Sequence, residues 1–309
     1  MDPHINTVGT PALWAGFVGF VLAMLALDLG VFHRRAHAVS VREALTWTLV
    51  WVSLSSLFCL GIYAQFGSSS ALEFATGYLI EKALAVDNIF VFAVVFQYFG
   101  VPAKDQHRVL FWGILGALVM RAIFIALGTA LLARFHWILY LFGAALVAAG
   151  IKLFLQRQEA VNPAERAIVR WFRHHVPMTS ELRGSSFAVQ HEGRWMATPL
   201  LLVLLVIEVS DLVFALDSIP AIFAVTLDPF IVFTSNIFAI LGLRSMYFLL
   251  AGIIDRFRYL KVGLAAVLCF VGAKMLLADV YAIPTVVSLC VVAALLAVSI
   301  GASAIDRAR

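Results

Sequence analysis

The chain has 309 residues, of which 63% are hydrophobic and only 13% charged, and its mean hydropathy is +0.98. Soluble domains carry about 25% charged residues, so a water-soluble globule is excluded and the bilayer becomes the expected solvent. The formal net charge of +4 raises the question of an anionic partner, but its distribution along the chain argues against nucleic acid.

The start, Met1-Asp-Pro-His-Ile-Asn, has no basic n-region and predicts no cleavable signal peptide. Apolar runs then predict nine membrane-spanning helices, at 12–32, 44–66, 72–99, 109–131, 136–155, 198–220, 229–253, 259–279 and 282–304. They are separated by charged, Gly/Pro-containing or Ser-rich breaks such as Gly67-Ser-Ser-Ser70 and Phe99-Gly-Val-Pro-Ala-Lys104. The long linker at 156–197 predicts a short basic helix over Ala164 to His175 after Asn162-Pro163, and a hairpin around Glu192-Gly193. It reads as a connector and membrane anchor. Cys59, Cys269 and Cys290 sit in apolar runs without metal-ligand spacing and read as small buried hydrophobes.

If all nine runs cross, sixteen of the 22 Lys and Arg fall on one side, in the linkers from Arg34 to Arg42, Lys104 to Arg108, Arg157 to Arg194 and Arg256 to Lys261, and in the tail at Arg307 and Arg309. The other side holds only Arg134, and the rest lie within spans. The positive-inside rule makes the rich side cytoplasmic, with the N-terminus outside and the C-terminus in the cytoplasm.

Two segments repeat. Glu81-Lys-Ala-Leu-Ala-Val-Asp87-Asn88-Ile89 aligns with Asp211-Leu-Val-Phe-Ala-Leu-Asp217-Ser218-Ile219. The next spans share Ile114-Leu-Gly116 and Ile240-Leu-Gly242, each followed by an arginine, Arg121 and Arg244, with one turn of slippage. The third spans carry Gly150-Ile-Lys152 and Gly272-Ala-Lys274. Each copy therefore has three spans, at 72–155 and 198–279, and an odd number inverts the second copy in the bilayer. Inverted repeats are a transporter signature, with the site near the midplane where the copies meet. The expectation is a single all-α transmembrane domain, with 12–32, 44–66 and 282–304 as peripheral helices.

Glu81, Asp87, Glu208, Asp211 and Asp217 all fall inside spans. Each costs roughly 2.5–3.5 kcal/mol at a helix centre on insertion scales, so each needs a cavity, a cation, a proton or a basic partner. Structural pairing with Lys82, Arg121, Lys152, Arg244 and Lys274 competes with a functional role, although Lys152 and Lys274 lie near enough to span ends to snorkel. Glu208 and Asp211 share a helical face, whereas Asp87 and Asp217 are turned some 120° from their repeat acids on a straight helix. Asp87-Asn88, and Asp217-Ser218 with Pro220, therefore predict broken helices that turn both Asp side chains into one cavity. The Asn88 amide and the Ser218 hydroxyl complete a set of hard oxygen donors, which suits Mn²⁺, Ca²⁺ or Mg²⁺ better than Cu⁺ or Zn²⁺. Surplus acids leave groups to carry protons, making cation/proton exchange the expected activity. Arg121 and Arg244 are accessory fixed charges, and Asp28 either lines the cavity or pairs with Arg34 or Arg35.

These motifs resemble those of the TerC family of bacterial integral membrane proteins. The likeness is carried by the Glu81–Asn88 stretch, by Glu208-Val-Ser-Asp-Leu-Val-Phe-Ala-Leu-Asp-Ser-Ile-Pro-Ala-Ile-Phe-Ala, and by Asp228-Pro-Phe-Ile-Val-Phe-Thr-Ser-Asn-Ile-Phe-Ala-Ile-Leu-Gly-Leu-Arg244. The resemblance implies a nine-span inner-membrane protein linked to manganese export and, by an older tie, to tellurite resistance. It implies acidic roles for Glu81, Asp87, Glu208, Asp211 and Asp217, with Asp28 as a matching first-span acid. The alternative expectation is an oxyanion-resistance component acting with partners through Arg121 and Arg244. An enzyme is not expected, because there is no Walker A loop, His-Glu-x-x-His or Gly-x-Ser-x-Gly, and no prosthetic group is expected either.

Overall fold

The computed structural model describes residues 7–32, 40–135, 137–155, 167–179, 181–182, 184–191, 194–250, 259–281 and 283–306. Every predicted run forms helix: α1 (Pro11–Phe32), α2 (Val41–Phe66), α3 (Ser68–Tyr98), α4 (Ala103–Arg134) and α5 (Ile138–Leu155) precede the linker. After it come α7 (Pro199–Phe223), α8 (Pro229–Leu241), α9 (Leu243–Leu250), α10 (Leu260–Leu276) and α11 (Thr285–Asp306). Among the described residues six helices, counting α8 and α9 as one, are long and apolar enough to cross a membrane. Two of the remaining helices differ for plain reasons: α3 carries Glu73, Glu81, Lys82 and Asp87, and α10 has 17 residues; α1 is apolar over Pro11–Leu27, the part whose side chains are described. The linker holds the short helix α6 (Ala167–His175) and an antiparallel hairpin, β1 (Ala188–His191) with β2 (Arg194–Ala197). Asn162, Pro163, Glu192 and Gly193 lie outside the described residues.

Large apolar side chains such as Leu22, Leu57, Leu60, Ile123, Leu141 and Val298 face outward, as a lipid-facing surface requires. Cys290 shares this exposure and Cys59 and Cys269 are only half-buried, so the reading of all three as core residues is corrected. Apolar atoms lose nothing by facing lipid, and the inside-out logic of a soluble core does not apply.

Equivalent helices of the two repeat segments pack on each other, α3 on α7 and α5 on α10, while α3 also meets α8 and α4 meets α7. These pairings are unchanged when the segments are exchanged. The α5–α10 seam has the same property at residue level. A Cβ at Gly150 would lie 2.8 Å from the Ala265 carbonyl oxygen, and one at Gly272 would lie 2.7 Å from that of Gly143. With Gly150 equivalent to Gly272, the second contact is the first one exchanged. Position 143 meets 272 while 150 meets 265, so the two helices run antiparallel, with backbones close enough that only glycine fits.

Contacts at the ends of the bundle sort the loops. Asp228 caps α8 by accepting from the Phe230 and Ile231 amides, and its two oxygens also accept from the Thr7 hydroxyl (2.9 Å) and the Val8 amide (2.7 Å). Ser185 of the linker donates to Asp105 at 2.6 Å, and Tyr247 donates to Gln106 at 3.0 Å. The Tyr259 amide donates to Ser303 at 3.1 Å, and Tyr140 donates to Asp279. Each contact joins segments that the alternation of nine spans puts on the same side.

Candidate functional site

The centre of the site is where α3 and α7 cross. Asn88 follows Glu81 by seven residues, and Ser218 follows Asp211 by seven. Seven residues are nearly two full turns, so on each helix the acid and the small polar residue share a face. The antiparallel crossing then sets them in reciprocal pairs. The Asn88 amide donates to Asp211 Oδ1 at 3.2 Å, and the Ser218 hydroxyl lies against the Glu81 carboxylate. All four are nearly fully buried.

Arg121 of α4 enters this crossing and is 0% exposed. Its Nη1 donates to Glu81 Oε1, to Ser218 Oγ at 3.1 Å and to Asn236 Oδ1 at 3.2 Å, while Nη2 donates to Asp211 Oδ1 at 3.4 Å. Asn236 of α8, also 0% exposed, donates its own amide to Glu81 Oε2 at 3.2 Å. Two carboxylates thus face one guanidinium. Asp211 Oδ2, Asn88 Oδ1 and Arg121 Nε are buried without a hydrogen-bond partner. A cavity of about 300 Å³ opens beside the cluster, lined by Glu81, Asn88, Arg121 and Ser218 together with Asp217 and Lys152.

The remaining predicted residues stand elsewhere. Glu208 is half-buried, and its carboxylate fills the space a Cβ at Gly116 would take, which explains the glycine in Ile114-Leu-Gly116. Lys82 donates to the Ala239 carbonyl at 3.2 Å, and a Cβ at Gly242 would come within 2.7 Å of its Nζ. Arg244 is buried in α9, outside the hydrogen bonds that join Arg121 to its neighbours. Asp28 lies in α1 and Asp87 in α3, and both side chains lie outside the described residues.

Two expectations are corrected. The helices do not break at Asp87 or Asp217: α3 is continuous through Asn88, and α7 runs through Pro220 to Phe223. Pro220 sits in the last turn, where few further helical bonds remain to be lost. The interruption falls instead at Gly242, between α8 and α9, where Lys82 binds a carbonyl of the last α8 turn. Consequently the acids do not all converge. Among the described residues no three of His, Cys, Asp and Glu gather as a metal cage: Asp217 lines the cavity that Glu81 also lines, while the Glu208 carboxylate lies against Gly116. Asn236 is a site residue that sequence reasoning misses. A lone amide inside the apolar run Thr234-Ser235-Asn236-Ile237 is the available signal, since a buried amide demands partners.

The sequence profile of the integral membrane protein TerC family matches residues 66–309. The chain is 60% identical over 299 residues to "Uncharacterized membrane protein STKORF319" of Myxococcus xanthus, covering 97% of this chain and 94% of the relative. It is 52% identical over 297 residues to "Putative membrane-bound redox modulator Alx" of Escherichia coli K12, covering 93% and 92%. To an "Uncharacterized membrane protein" of Rickettsia bellii it is 43% identical over 294 residues, covering 95% and 97%. No solved structure matches the chain. A predominantly helical membrane protein whose acidic motifs meet at one buried crossing, matched by this profile over most of its length, the chain belongs to the TerC family of integral membrane proteins.

Proposed function

We propose that the chain is a secondary transporter that exports a divalent cation, Mn²⁺ before Ca²⁺ or Mg²⁺, in exchange for protons. One observation carries this reading: Glu81 and Asp211, from two antiparallel helices, are buried together with the neutral oxygens of Asn88, Ser218 and Asn236 beside a cavity. Ionisable groups are kept inside membrane proteins mainly for function, and such a donor set suits a hard divalent ion. Asp217, which lines the same cavity, is the acid that receives an ion passing through it. Asp87, its repeat counterpart, takes the same part from α3. Glu208 and Asp28 are accessory acids, with Glu208 a carrier of the counter-proton. Arg244 is a fixed accessory charge.

In this reading segments 72–155 and 198–279 form an inverted pair in the cytoplasmic membrane, with the N-terminus outside and the linker and C-terminus in the cytoplasm, the orientation that the distribution of Lys and Arg favours. No bond is made or broken, and no prosthetic group takes part. A transporter of a redox-active metal alters cytoplasmic redox balance without exchanging electrons itself, which accommodates the redox modulation in the name of the Escherichia coli relative. An oxyanion pathway through Arg121 and Arg244 fits less well, because the first of these guanidinium groups is already bonded to Glu81 and Asp211.

The test is flux into proteoliposomes of Mn²⁺, Ca²⁺, Mg²⁺ and tellurite, with internal pH recorded alongside. Saturable Mn²⁺ flux with proton counterflow, lost in Asp217→Asn, is the expected result. Full flux in Asp217→Asn, or tellurite flux alone, would refute the assignment.

A further inference from the structure

Among the described residues Arg121 is the one cation hydrogen-bonded within the crossing, and a role for it there rests on the transport reading and deepens it. An arginine that served only to glue helices would saturate its neighbours. This one leaves Asp211 Oδ2, Asn88 Oδ1 and its own Nε buried and unpartnered, each at a desolvation cost. It nonetheless occupies the oxygens that a metal ion would need: Glu81, Asp211, Ser218 and Asn236 all accept from it.

We propose that Arg121 is a tethered competitor for the transported ion, and that this competition makes the site selective for divalent over monovalent cations. The electrostatics rest on the count of charges. Two carboxylates face one guanidinium. A monovalent ion that displaced it would bring no additional charge and would forfeit its directed hydrogen bonds. A divalent ion doubles the attraction to both carboxylates in a low-dielectric site. It also gains oxygens in the number hard divalent ions take, two each from Glu81 and Asp211 and one each from Asn88, Ser218 and Asn236. Lysine is a poorer competitor than arginine, because its three donors radiate from one point and cannot span oxygens on three helices.

Binding to the purified full chain in detergent separates the possibilities, with Mn²⁺ as the probe, titrated by calorimetry and by loss of the free-ion paramagnetic signal. Ionic strength is held constant while Na⁺ replaces a bulky organic cation. Wild-type protein should bind Mn²⁺ without sensitivity to Na⁺. Arg121→Gln should bind Mn²⁺ about tenfold more tightly or better, a change of one log unit in Kd, and Na⁺ should now compete. Arg121→Lys should gain affinity by less and stay insensitive to Na⁺, and it carries the test if the glutamine variant does not fold. Wild-type binding with no gain in the folded variants would overturn the competitor role alone and leave the transport reading standing. Absence of Mn²⁺ binding in folded wild type and folded variants alike would overturn both.

Discussion

The two repeat segments differ most where they are most alike in placement. Across the α3–α7 crossing, Glu81 answers Asp211 and Asn88 answers Ser218, so the scaffold is symmetric to the residue. The second helices break that symmetry. From the first segment α4 sends in Arg121, whereas from the second α8 sends in Asn236. With Gly116 set against Gly242, the residue in α9 equivalent to Arg121 is Tyr247, which instead donates to Gln106 at the end of the bundle. The matching positions of the two segments thus carry the acids, and the unlike helices beside them carry the charge. The shared geometry lines a cavity, and the unshared arginine is the group that the competitor proposal makes selective.

The largest expected effect tests whether the two acids are equal partners of that arginine. Glu81→Ala removes the closer carboxylate and should cost about 3–5 kcal/mol, the usual range for breaking a buried ion pair, whereas Asp211→Ala, which removes the partner at 3.4 Å, should cost less. Thermal unfolding in detergent, followed by retention of the monodisperse peak, ranks the two; equal losses would remove the asymmetry. A smaller effect should be equal in both segments. Gly150→Val and Gly272→Val each drive a side chain into a backbone carbonyl of the opposite helix and should each destabilise by roughly 1–3 kcal/mol, as overpacking does. Unequal losses in the same assay would show that the α5–α10 seam is not symmetric in energy. The smallest change converts one copy toward the other. Asn88→Ser replaces the amide oxygen offered to the ion with a shorter hydroxyl and should cost roughly fivefold in Mn²⁺ affinity, about 1 kcal/mol, measured by the same metal titration.

Much of this architecture is legible in the amino-acid order because lipid punishes mistakes. Charge inside a span is expensive enough that Glu81, Asp211 and Arg121 announce themselves, and the period of seven from acid to amide or hydroxyl places Asn88 and Ser218 with them. The helix break falls away from its expected place for a local reason. Asp-Asn and Asp-Ser-Ile-Pro look like poor helix, but such propensities are weak priors that tertiary packing overrides, and α3 and α7 are continuous. At Gly242 the deciding partner is Lys82, 160 positions earlier in the chain, and no local reading anticipates an ammonium at a distant helix end. Asn236 is hidden for the same reason, since its polar partners, Glu81 and Arg121, come from α3 and α4.

Asp228 has a practical consequence for anyone handling this protein. One carboxylate both caps α8, the helix that brings Asn236 to the crossing, and holds Thr7 and Val8. An affinity handle fused at the amino end would pull on that carboxylate and, through the cap, on the helix. A handle fused after α11 leaves the Asp228 carboxylate and its cap on α8 untouched, which favours the carboxyl end for purification tags or fluorescent reporters.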